Sequence, residues 1–131
     1  MHDPIPLAPI SWGELIDKIT ILEIKMKKIA SESGLANVRK ELVLLTEIAA
    51  PEVLGRDDVK ALMARLREAN KTLWDIEDGI RLKEAAKSFD REFVELARSV
   101  YETNGERSRL KREISNILGS GLIEEKSYAP Y

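Results

Sequence analysis

The chain of 131 residues has no cysteine, a single histidine and only 5% aromatic side chains. Without a thiol, disulfide frameworks, thiolate zinc sites and cysteine nucleophiles are all excluded. The one imidazole, His2, precedes Pro4, Pro6 and Pro9, and a proline-rich arm is a poor platform for histidine catalysis. No glycine-rich phosphate loop is present. A surplus of one charge is missing too: 21 basic groups face 23 acidic ones, for a formal net charge of -2. That balance argues against general nucleic-acid binding, which needs a cationic face. The longest uncharged stretch, residues 4–13, is short and carries three prolines, so it predicts neither a membrane span nor a signal peptide. A cytoplasmic protein without cofactor is the simplest expectation.

What is present is helical periodicity. Strand-like alternation is almost absent outside the arm, so the class is all-α. The expected organisation is one domain: an extended arm over 1–10, a helical bundle over 11–118 and a tail over 119–131. Ser11 with Glu14 three residues on is a capping-box signature, and Leu15, Ile19, Leu22, Met26 and Ile29 then form one stripe. Gly34 is expected to close the first helix, with Leu35, Val38, Leu42, Leu45 and Ala49 marking a second that Pro51 ends. Asp57 or Asp58 can cap a third helix with the stripe Val59, Leu62, Leu66, Ala69, Leu73, Ile76 and Ile80. Ser88 can cap a fourth, through Phe89, Phe93, Leu96, Val100, Leu110, Ile114 and Ile117 to Gly119 and Gly121. Two antiparallel hairpins result, the second much the longer. Asn104-Gly105 is the one dipeptide that can break the last helix.

Helices of about 30 residues span about 45 Å, longer than a domain of this size. A second copy of the chain is the cheapest cover for stripes of that length, so a homodimer through the long helices is expected. Ile21 and Ile24 make the first helix apolar on two sides, to be buried on both. Another protein's helix on the 59–80 stripe is the alternative partner.

Polar residues within these faces are the candidate site. Asn104, Arg107 and Asn70 fall in or beside core register, where such groups set registry or hold a ligand. Arg107 needs a carboxylate, and Glu77 or Asp78 is the expected partner. An enzyme or nucleotide-binding protein is the rival to an interaction module. It would hold Mg²⁺ on Glu77 and Asp78 and grip phosphate with Arg81, Arg107 and Lys111. Glu14 with Asp17, Asp75 with Asp78, and Glu92 with Glu95 are further carboxylate pairs one turn apart. Glu77 with Arg81 is the expected ion pair of the third helix. The basic run SRLKRE is most simply balanced by Glu124 and Glu125 in the tail.

The segments GELIDKITILEIK (13–25), LWDIEDGIR (73–81), FVELARSVYETN (93–104), LKREI (110–114) and LIEEKSY (122–128) together resemble an uncharacterised family of small bacterial and phage helical proteins, a domain of unknown function. The resemblance spans nearly the whole chain. It implies at most an accessory role and directs attention to the polar groups inside its motifs, among them Glu14, Asp17, Glu77, Asp78, Arg81, Asn104, Arg107, Lys111 and Glu124.

Overall fold

The computed structural model describes residues 2–130; Met1 and Tyr131, the ends of the expected arm and tail, lie outside the described residues. Four helices follow one another, α1 (Trp12–Lys28), α2 (Glu32–Ala49), α3 (Asp57–Ala85) and α4 (Arg91–Ile117), and there is no strand among the described residues. Among the described residues no helix is long and apolar enough to cross a membrane.

α1 is the pivot of the packing: α2 lies against one side of it and the α3/α4 hairpin against the other. That explains why α1 carries two apolar stripes. Leu15, Ile16, Ile19, Leu22 and Ile24 are all buried. Against them pack Leu62, Met63 and Leu66 of α3, Leu110 and Ile114 of α4, and Ala49 at the end of α2.

Several helix ends are set by short polar side chains. Ser11 caps α1 and Pro51 stops α2, as the sequence predicts. Gly34, expected to close the first helix, instead sits in the first turn of α2, its amide donating to the Ser31 hydroxyl at 3.2 Å. Serine at the cap outcompetes glycine as the punctuation here, because its oxygen satisfies a free amide. The cap of α3 is Arg56, one residue before the expected aspartates, and makes no side-chain cap bond. Asp90, not Ser88, caps α4, accepting from the Phe93 amide at 3.0 Å. Phe89 therefore precedes the helix and is 56% exposed rather than in its stripe. α4 runs unbroken through Asn104-Gly105.

α3 and α4 end alike. After α4, Gly119 is left-handed (φ 62°), its amide donating to Asn116 and that of Ser120 to Ser115. After α3 the same pair of bonds forms around Lys87 (φ 53°), a left-handed residue with a side chain.

At 29 residues α3 is about 43 Å long, whereas 17 residues give α1 about 25 Å. The α3/α4 hairpin therefore overhangs. Its inner half is dry: Val59, Leu66, Leu110 and Ile114 are almost completely buried. In its outer half Ile76, Ile80, Phe93, Leu96 and Val100 are only half-buried. Leu82, at 73%, and Val94 are exposed.

Candidate functional site

A second stripe of α1, Gly13, Asp17, Thr20 and Ile24, at steps of four, three and four, is buried against α3 and α4. It is polar in the middle. Asp17 is 2% exposed, and its two oxygens are taken by different helices. One accepts from the Asn70 amide nitrogen of α3 at 2.8 Å; the other accepts from Nη2 of Arg107 of α4 at 2.7 Å. Asn70 also donates to the Thr20 hydroxyl at 2.8 Å, and that hydroxyl donates to the Asp17 carbonyl oxygen. Arg107 Nη1 donates to the Asn104 side-chain oxygen at 2.9 Å, while its buried Nε has no acceptor among the described residues.

One turn towards the end of α4, Lys111 extends the network. Its ammonium lies 2.7 Å from Glu14, 3.0 Å from Glu124 and 3.9 Å from Asp17. Burial pushes the Lys111 pKa down, but hydrogen bonds to Glu14 and Glu124 and the nearby Asp17 charge outweigh it, so the group stays above the ordinary lysine value. Glu124 is held below the usual carboxylate range by Lys126 and Lys111. The tail carboxylates do balance the basic run: Glu124 faces Lys111, and Glu125 pairs with Arg112 at 3.2 Å.

The start of α1 meets the end of α4 at van der Waals range. A Cβ on Gly13 would overlap the Lys111 peptide, reaching 2.7 Å from its carbonyl carbon and 2.8 Å from the Ser115 hydroxyl. Three serine oxygens meet the first three amides of α1: Trp12 donates to Ser120, Gly13 to Ser115 and Glu14 to Ser11. The expected capping box is thus half formed, because the Glu14 carboxylate turns to Lys111 instead of back to the cap.

The six residues named from sequence fall into two groups. Asn104, Arg107 and Lys111 converge on Asp17. Glu77, Asp78 and Arg81 stand on the outer half of α3, where Arg81 pairs with Asp78 at 2.9 Å, not with Glu77. Cross-hairpin pairs Arg65 to Glu106 and Lys83 to Glu92 put Asp78 about ten residues, or about 15 Å, along the hairpin from Arg107. The carboxylate that Arg107 needs is therefore Asp17, and Glu77 and Asp78 are out of its reach. Of the other carboxylate pairs, Glu14 and Asp17 meet Lys111, while Glu92 and Glu95 pair with Lys83 and Arg91. No group of three or more metal-binding side chains gathers among the described residues. Sequence reasoning missed Asp17 as the hub. The available signal was its spacing, since Asp17, Ile21 and Ile24 lie on one face of the helix.

Chemically, this centre is a tie between three helices. The Thr20 proton is committed to a backbone carbonyl, so no base activates that hydroxyl. A helix slipped out of this register would leave Asp17 or Arg107 uncompensated.

A family model described as a family of unknown function, DUF6165, matches residues 7–130. No curated protein and no solved structure matches.

Proposed function

We propose that this chain, which belongs to the family of unknown function DUF6165, is a helical interaction module that pairs with a second copy of itself through the outer half of the α3/α4 hairpin. The observation that carries the reading is the gradient of burial along that hairpin. Where α1 covers it, the apolar stripe is buried; beyond α1, Ile76, Ile80, Phe93, Leu96 and Val100 continue the same stripe half-buried, with the Phe89 ring set edge-on against Phe93. Two helices alone cannot enclose a core, whereas two such hairpins related by a twofold axis make a four-helix bundle. The stripe of Val59, Leu62, Leu66 and Leu73 is taken by the chain itself, so pairing is confined to the outer turns.

The buried Asp17, Asn70, Thr20 and Arg107 network supports this reading from the inside. It ties the inner half of the hairpin to α1 through side chains of all three helices, leaving the outer turns to project beyond α1. The separation of Glu77 and Asp78 from Arg107 and Lys111 gives no support to a magnesium-dependent phosphate site across both groups.

Light scattering on a sizing column tests the proposal. A species of twice the 14.8 kDa chain mass is expected at micromolar concentration, and Leu96→Glu should return it to one chain without loss of helix. A wild-type mass of one chain would overturn it.

A further inference from the structure

We propose that the cavity between the end of α4 and the C-terminal tail is an anion site for a phosphate group, with Glu124 and Glu125 acting as its internal stand-ins. The cavity, about 170 Å³, is lined by Ser11, Ser108, Lys111, Arg112, Ser115 and Lys126, among others. Four of these come from one face of α4, at spacing i, i+3, i+4 and i+7, and Ser11 joins them from the cap of α1.

Two observations point to an anion here. Ser11 and Ser115 are buried, and their oxygens already accept from the amides of Glu14 and Gly13. Neither hydroxyl donates to a protein acceptor among the described residues, so each proton is free to turn towards an anion in the cavity that both side chains line. The second observation is how the tail is held. Residues 121–130 make no backbone hydrogen bond among the described residues. Their polar contacts with the helices are Glu124 on Lys111 and the two bonds from Arg112 to Glu125, at 3.2 and 3.4 Å. Lifting the tail, which takes Lys126 with it, leaves Arg112 with no partner and removes Glu124 from Lys111, which keeps Glu14 and Asp17, so the α4 face of the cavity gains positive charge.

A carboxylate offers two oxygens in one plane. A phosphate dianion offers oxygens in several directions, enough to meet the Arg112 fork, the Lys111 ammonium and the serine protons together. The ligand class is therefore a phosphate, either free or as the terminal group of a small ester.

The test is an NMR titration of the full chain with inorganic phosphate and with glycerol 3-phosphate, against chloride at equal ionic strength. Saturable shifts at the amides around Ser11, Ser108 and Ser115 are expected. Removing the stand-ins in E124Q/E125Q should tighten binding about tenfold if the tail occupies the site in about nine molecules of ten. R112Q, at an exposed position, should weaken it about tenfold by removing charge-assisted bonds. Tighter binding of the ester than of inorganic phosphate would assign the site to a phosphorylated small molecule, and the reverse to phosphate itself. No saturable shift beyond chloride in folded E124Q/E125Q would overturn the site. Equal affinity of that variant and the wild type would overturn the stand-in role.

Discussion

Asp17 and Arg107, ninety positions apart in the chain, meet at 2.7 Å, with the carboxylate 2% and the guanidinium 19% exposed. Exposed pairs elsewhere on the surface, such as Arg81 with Asp78, contribute little. This one differs because removing either partner strands the other. Asp17→Ala should cost about 3 kcal/mol, since it takes the carboxylate from a largely buried guanidinium and removes one of the two acceptors of Asn70. Urea denaturation measures it, and the double variant Asp17→Ala/Arg107→Met should lose clearly less than the sum of the singles. Additive losses would mean the two do not act as a pair.

Gly13→Ala is a favourable exchange in an ordinary helix interior, by about 1 kcal/mol. Here it should destabilise by about 2 kcal/mol or more, because the new methyl must push the Lys111 peptide away from α1. Thermal unfolding gives the sign directly. A stabilised Gly13→Ala would contradict the close packing of α1 on α4.

Lys87 is the converse case. It occupies the left-handed position that closes α3, at φ 53°, where a side chain is strained. Lys87→Gly should raise stability by about 1 kcal/mol, the strain relieved outweighing the exposed pair with Glu84. The midpoint of thermal unfolding should rise.

Attachment of the tail depends on pH. Glu124 has a lowered pKa, so its contribution is complete above the ordinary value of 4.5 and disappears as pH falls through the lowered one. Lys111 has a raised pKa, so its share is complete below 10.5 and disappears as pH rises through the raised value. Between those limits the tail is fastened. NMR signals of residues 121–130 should sharpen as pH falls below that of the lowered Glu124, while those of α1 and α4 persist. Tail signals indifferent to acid would refute the carboxylate clamp.

Much of the fold was legible because its helices are written in apolar steps of three and four. The stripes of α1 to α4, the Ser11 cap, the stop at Pro51 and the close at Gly119 all follow from local chemistry. Gly34 misled because Ser31, three residues earlier, is the stronger signal, and Phe89 because Asp90 caps α4 two residues later than Ser88 would. The site was legible only by half. Asn104 and Arg107 stood out as polar residues in or beside core register and Lys111 as part of a basic run, but the partner they gather around did not. Asp17 lies ninety positions from Arg107; its spacing with Ile21 and Ile24 marks a buried face of α1, but nothing local tells which residues of the other helices it meets. Glu77 and Asp78 looked equivalent to it because adjacency in a hairpin depends on where α3 and α4 are level, which the loop between them sets.

The central claim is that the outer hairpin turns are covered by a second copy, and amide hydrogen exchange at two protein concentrations tests it most directly. Dilution below the dimer's dissociation range should speed exchange in residues 76–100 while leaving 59–73 and 110–117 unchanged. Exchange that is independent of concentration throughout α3 and α4 would contradict it.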